Sequence, residues 1–328
     1  MSTSIQLRQR SFGASLLWRC SQALIALGLA ASAQAGPFTS IQVFGDSLSD
    51  TGNVFAASGG TIPPSPYFNG RFSNGPVAVE TLAAKFNAPL FSYAYGGATT
   101  GLLNNAAPPP LANTGMLSQL TGYLGAVGIG GADPNALYVL WGGPNDFFAL
   151  LSGPADPVAI ATSVVTNLST AVMALYASGA RNFLLPLLPD LGLIPQVQGL
   201  PGVPAQLTAL SLQTNQSLAA SYGVLAGLFA DADLTVFDTL AAQQNLLANA
   251  AAFGITNTTD ACYTGFVDTP PGTVCANPDS YLFWDKQHPT AVAHALLGEL
   301  MYQQVPVPAT LALVLTGLAL VSLRRRAA

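Results

Sequence analysis

The chain contains two histidines, His288 and His294, and this scarcity limits the chemistry open to it. A metal site built on histidine is excluded, and three cysteines (Cys20, Cys262, Cys275) are too few for a thiolate centre. If a histidine serves as general base, these two are the only candidates. His288 stands in Trp284-Asp285-Lys286-Gln287-His288-Pro289. An aspartate three residues before a histidine can meet its ring where the backbone turns. It then holds the imidazole in one tautomer and stabilises the imidazolium. A serine hydroxyl needs such a base, because it must lose its proton as it attacks. Ser47, in Gly45-Asp46-Ser47 after an apolar run, is the matching nucleophile candidate. Each residue also has a plainer reading: Ser47 as a helix cap, His288 as a residue at a helix start or on the surface. His294 lies in an Ala/Leu stretch without a partner and is read as structural. The Gly-x-Ser-x-Gly elbow is absent, so a nucleophilic Ser47 requires some other serine hydrolase architecture.

The elements that must position these residues alternate along the chain. Apolar, β-rich runs at 41–44, 89–95, 137–141, 183–187 and 234–237 predict strands. Longer Ala/Leu-rich stretches predict helices near 77–86, 116–124, 157–177, 205–229 and 240–251. A last helix is predicted to start at Pro289, a residue suited to the first helical turn, and to run to about Tyr302. Such alternation predicts an α/β fold, a three-layer α/β/α sandwich on a mainly parallel five-stranded sheet. Ligands bind such sheets at the carboxyl ends of the strands. The polar residues do fall there: Gly45-Asp46-Ser47, Gly96-Gly97, Gly142-Gly143-Pro144-Asn145-Asp146 and Pro189-Asp190 each follow a predicted strand. The connections 58–74 and 104–113 are expected to form the rim of the substrate site.

Both ends carry other signals. Arg8, Arg10 and Arg19, an apolar run at 23–31 and Ala33-Gln34-Ala35 read as a secretory signal over residues 1–35, cut by signal peptidase before Gly36. Cys20 falls within it. Cys262 and Cys275 remain, an even count for an oxidising compartment. A disulfide between them would contribute about 3 kcal/mol on the chain-entropy argument; two free thiols are the alternative. At the other end, 305–328 combines Val305-Pro306-Val307-Pro308, an apolar run to Leu323 and Arg324-Arg325-Arg326. Between the ends, Arg71, Lys85, Arg181 and Lys286 face all fifteen acidic residues. So acidic a body is not expected to bind nucleic acid, which requires lysine and arginine at the phosphates. Arg71 is expected to pair with a nearby aspartate or to face solvent, in a structural role.

Several blocks resemble the SGNH hydrolases, the GDSL-type esterases and lipases. Phe44-Gly45-Asp46-Ser47-Leu48-Ser49-Asp50-Thr51-Gly52-Asn53 looks like their first block, Tyr95-Gly96-Gly97-Ala98-Thr99-Thr100 their second, Gly143-Pro144-Asn145-Asp146 their third and Asp285-Lys286-Gln287-His288-Pro289 their fifth. Gly70-Arg71-Phe72-Ser73-Asn74-Gly75 and Leu188-Pro189-Asp190-Leu191-Gly192 fit as accessory stretches. The blocks run in family order through a hydrolase domain at 36–304. The resemblance implies a flavodoxin-like sheet, Ser47, Asp285 and His288 as a triad, an oxyanion hole from Ser47, Gly97 and Asn145, and no metal or cofactor. It implies cleavage of a carboxylic ester: a lipid, a short-chain ester or an acylated saccharide. An acyltransferase using the same triad and a non-catalytic surface binding protein are the alternatives. Asp46 and Asp50 are expected to shape the loop around Ser47. The C-terminal segment resembles the PEP-CTERM sorting signal of Gram-negative bacteria, with Pro306-Val307-Pro308 in place of Pro-Glu-Pro. It implies exosortase as a partner, a cell-surface, periplasmic or extracellular location, and O-acetylated polysaccharide as a second substrate class. A plain membrane anchor is the alternative there.

Overall fold

A computed structural model describes residues 36–105 and 111–306. The expected signal over 1–35, the segment 307–328 of the expected sorting tail and positions 106–110 of the expected rim lie outside the described residues.

Strands β1 (Ile41–Gly45), β2 (Leu90–Ser92), β3 (Leu137–Trp141), β4 (Asn182–Pro186) and β5 (Asp233–Phe237) form one five-stranded sheet in the order β2-β1-β3-β4-β5. Every neighbouring pair is parallel, with Ile41 opposite Leu90 and Leu137. The helices are α1 (Asn53–Ala57), α2 (Ala78–Phe86), α3 (Met116–Val127), α4 (Pro144–Phe147), α5 (Pro157–Ser178), α6 (Val203–Leu228), α7 (Thr239–Ala248) and α8 (Ala291–Gln304).

The layering follows from the period-two alternation of strand side chains. Ile41, Val43, Leu137, Val139, Trp141 and Leu184 pack with residues of α2, α7 and α8 in one buried cluster. Phe44, Tyr138, Leu140, Phe183 and Leu185 pack with residues of α3, α5 and α6 in the other. Both faces are covered, which is why these strands are apolar almost throughout. The chain leaves β1 toward β2 on one side and continues from β3 toward β5 on the other. The sheet order therefore reverses between β1 and β3, and this crevice is where such sheets bind ligands. The three-layer α/β/α sandwich on a parallel five-stranded sheet is the expected architecture.

Three local expectations are corrected. The second strand is confined to Leu90–Ser92, because Tyr93 and Tyr95 leave the edge of the ladder while their N–H groups still donate to the Val43 and Gly45 carbonyls. The last helix begins at Ala291, not Pro289: Thr290 caps it by accepting from the Ala293 N–H, and Pro289 stays extended beside Phe283. Residues 257–283, where no strand is predicted, contain a two-stranded parallel ribbon, β6 (Asn257–Ala261) and β7 (Tyr281–Phe283). Its polar, Thr- and Asp-rich first strand carries no hydrophobic alternation to reveal it. The loop between these strands is closed by the Cys262–Cys275 disulfide.

Candidate active site

Ser47 lies in the turn just after β1. Gln119 of α3 holds the start of that turn from both sides: its Oε1 accepts from the Gly45 N–H at 3.0 Å and its Nε2 donates to the Gly45 carbonyl at 2.8 Å. A side chain at Gly45 would strike the Trp141 carbonyl at 2.5 Å, so the neighbouring strand demands glycine here. Asp46 closes the turn, accepting from the Leu48 N–H through its side chain and from the Ser49 N–H through its carbonyl. Asp50 accepts from the N–H groups of Gly52, Asn53 and Val54, and also from Gly96 at 2.9 Å. It thus ties the serine turn to the second glycine turn. Both aspartates shape the loop as expected. Burial pushes Asp46 up to about 7, with the Leu48 N–H and the nearby His288 pulling it back down.

His288 reaches Ser47 from the far end of the chain. Its Nε2 lies 2.9 Å from Ser47 Oγ, and its Nδ1 donates to Asp285 Oδ2 at 2.7 Å. All three residues are buried. The Asp285–His288 turn is closed by the carboxylate itself, since Asp285 Oδ1 accepts from the N–H groups of Gln287 and His288. The Trp284 N–H also donates to the His288 carbonyl. The Gly70–Gly75 stretch explains itself here. Ser73 donates to the Pro289 carbonyl at 2.8 Å, and Asn74 accepts from the Ala291 N–H at 2.7 Å. The plainer readings of Ser47 and His288 do not hold: the neighbouring helices α1 and α8 are capped by Gly52 and Thr290.

The residues expected to supply the oxyanion hole, Ser47, Gly97 and Asn145, line one cleft together with His288. Gly97 has φ 82°, a left-handed conformation that glycine enters without a Cβ penalty. Among the described residues, neither the Ser47 nor the Gly97 N–H has an acceptor. Asn145, in the first turn of α4, spends one amide proton on the Ala98 carbonyl at 3.0 Å, and an amide nitrogen carries two. Thr100 donates twice to Asp146, fastening the second block to the third. Burial nonetheless pushes Asp146 up to about 6.

The sequence from residue 41 to residue 301 matches the family model described as GDSL-like lipase/acylhydrolase. The chain belongs to that family. Among curated relatives, the phosphatidylcholine-sterol acyltransferase of Aeromonas hydrophila is 29% identical over 324 residues, covering 85% of this chain and 94% of that protein. The thermolabile hemolysin of Vibrio parahaemolyticus is 30% identical over 291 residues, covering 83% of this chain and 65% of the hemolysin. An acetylxylan esterase from Geobacillus stearothermophilus is a more distant structural likeness, with a TM-score of 0.47 at 13% identity over 83% of this chain and 95% of that one.

Within this GDSL-family site, sequence reasoning missed two aromatic residues. Tyr67 donates to Asp285 Oδ2 at 2.6 Å, the same oxygen that holds His288. It packs edge-on against Tyr263 and Trp284. Phe266, inside the disulfide-closed loop, stacks on the His288 ring at 5.9 Å, with Lys286 Nζ lying 3.9 Å from its centroid. Tyr67 falls within the predicted rim, but nothing in its type or spacing links it to an aspartate 218 residues away. Arg71 pairs with neither an aspartate nor solvent: it makes a two-pronged ion pair with Glu80, which also accepts from the Val77 N–H at the start of α2. His294 is fully buried, its Nδ1 accepting from the Ala78 N–H, and burial pushes it down to about 3.

Proposed function

We propose that this protein is an exported carboxylic ester hydrolase that works through an acyl-serine intermediate. The observation that carries the reading is the continuous chain from Ser47 Oγ through His288 to Asp285, set in a cleft that Gly97 and Asn145 also line. His288 Nε2 takes the proton of Ser47 Oγ as the oxygen attacks the ester carbonyl. The Ser47 N–H, the Gly97 N–H and the Asn145 amide receive the developing oxyanion. Asp285 stabilises the imidazolium, which then returns the proton to the departing alcohol. Water repeats the sequence to release the acid. Export rests on the residues of the N-terminal leader, with signal peptidase acting before Gly36. The C-terminal segment supports a surface tether handled by an exosortase in a Gram-negative cell.

The test is covalent labelling. A fluorophosphonate probe should label the wild-type body, and Ser47→Ala should abolish the label. An unlabelled wild type, or an alanine variant labelled equally well, overturns the reading. Cell fractionation should find the protein outside the cytoplasm. A second reading, acyl transfer to an alcohol, draws support from the name of the Aeromonas relative, which this chain spans almost end to end. Product analysis with glycerol or a sugar as acceptor separates the two: new ester in the products supports transfer, and free acid alone supports hydrolysis.

A further inference from the structure

Two cavities meet at the nucleophile, one lined mainly by apolar side chains and the other by polar and apolar side chains together. Ser47, Asn145, Phe148, Gln287 and His288 line both. The first runs into the body between the sheet, α7 and α8, and its walls include Leu48, Leu191, Ile194, Leu246, Leu282 and Leu297. Its volume is about 70 Å³, on a scale where a single water needs about 10–15 Å³. On that scale it holds a few water-sized groups, about seven at most. The second cavity is about 540 Å³ and is open to the outside. Its rim carries Asn105, Ser152, Gln196, Asp268 and Lys286.

From this partition we infer that the substrate is a short-acyl ester of a larger polar alcohol. The acyl chain, of roughly four to six carbons at most, enters the narrow cavity, and the alcohol occupies the wide cleft. The inference rests on the ester hydrolase reading and specifies its substrate class. The reason is desolvation. A hydroxylated alcohol placed between leucine and isoleucine walls would lose its hydrogen bonds to water and find few in return, at a cost for every unpaired group. An alkyl chain placed there gains from burial instead. In the wide cleft a polyol can keep its hydrogen bonds, because amide, hydroxyl and charged side chains stand there beside the apolar ones and can replace water. The acyl carbonyl joins the two compartments: its carbon bonds to Ser47 Oγ, its oxygen faces the N–H donors, and the C–O bond to the alcohol breaks on the cleft side. His288 lines that cleft and can give its proton to the departing oxygen there. A long fatty acyl chain does not fit the narrow cavity.

The experiment is a chain-length series of p-nitrophenyl esters, acetyl to palmitoyl, on the folded enzyme. Each methylene that fits should raise kcat/KM by up to about fourfold. The value should peak at or before hexanoyl and fall by about tenfold or more at decanoyl. Leu246→Trp, which narrows the cavity, should lower the hexanoyl-to-acetyl ratio. Leu246→Ala, which widens it, should raise that ratio and admit longer chains. A folding defect would depress all chain lengths together and leave the ratio unchanged. Fluorophosphonate labelling of Ser47 monitors the folded site in each variant, so that if one variant does not fold the other decides. Asp268→Ala, on the cleft side, should raise KM for a glycerol or sugar ester while leaving the chain-length ratio alone. The assignment is overturned if the wild type prefers decanoyl or palmitoyl esters, or if folded Leu246 variants keep the wild-type ratio. It is also overturned if the ratio responds to Asp268 instead. Loss of labelling in the wild type would instead bring down the hydrolase reading itself.

Discussion

Ser47, Gly97 and Asn145 sit at the ends of paired strands of the large sheet, whereas Asp285 and His288 hang from a loop after the two-stranded ribbon. The first group is positioned by backbone: parallel ladders on both sides of β1, a glycine demanded by the neighbouring strand, and carboxylates that accept from turn N–H groups. The second is positioned by side chains brought from far away. Tyr67 reaches Asp285 from one loop, Phe266 covers His288 from another, and the disulfide closes that second loop. A reactive pair can thus be assembled from one half held by regular structure and another held by tertiary packing. The two halves should fail in different ways.

The largest effect should come from the packed half. Asp285→Asn keeps the shape but cannot anchor the same tautomer, and kcat should drop by about 10⁴, measured on a short-chain ester. On the sheet-borne half, Asn145→Ala removes one oxyanion donor and should cost about 10²–10³ in kcat with little change in KM. A loss in KM alone would mean that Asn145 only shapes the cleft.

The backbone-held half carries buried carboxylates, so its pH sensitivity should appear in stability. Asp46 binds its proton more tightly in the folded state, about 7 against 3.8 when exposed. A group with a raised folded pKa stabilises the fold below its unfolded value. That stabilisation is lost as pH rises through the folded value, here between about 4 and 7. Asp46→Asn removes this dependence and should gain on the wild type by on the order of 4 kcal/mol between pH 4 and pH 8, read by urea unfolding at the two pH values. Equal gains at both would show that Asp46 does not titrate in that window.

Replacing Cys262 and Cys275 with serine should cost about 3 kcal/mol of stability. Hydrogen exchange should rise in 257–288 while the strands β1 and β3 keep their protection. Exchange rising equally in both regions would erase the distinction between the two halves. The smallest effect is expected from Tyr67→Phe, a loss of about tenfold in kcat, equivalent to one hydrogen bond to a charged group. Without the Tyr67 hydroxyl the Asp285 carboxylate concentrates its charge on the imidazole. The acid limb of the pH–rate profile should then move to higher pH. An unshifted profile would reduce Tyr67 to a packing residue.

How much could be read in advance follows the same division. The strand runs at 41–44, 137–141, 183–187 and 234–237 were legible because a sheet covered on both faces demands continuous apolar residues. The turns after them were legible because glycine and asparagine are needed where backbone approaches a reacting group. Asp285 and His288 were legible as a local pair, three residues apart. The ribbon that carries them was not, because Asn257–Ala261 is polar and half-exposed and owes its pairing to Tyr281–Phe283 rather than to any hydrophobic period. The start of α8 was misplaced by one cue, a proline, where Thr290, immediately before the first helical residue Ala291, supplies the actual cap.

The sequence by itself determined the fold class, the nucleophile turn and the Asp285–His288 pair, since each is written in neighbouring residues or in a short period. Only the tertiary structure decided that Tyr67 shares the Asp285 oxygen with His288, that Phe266 covers the imidazole, that Arg71 answers Glu80 and that a narrow apolar cavity opens beside Ser47. Those facts are contacts between residues distant in the chain. They depend on how layers and loops close over one another, which no local pattern encodes.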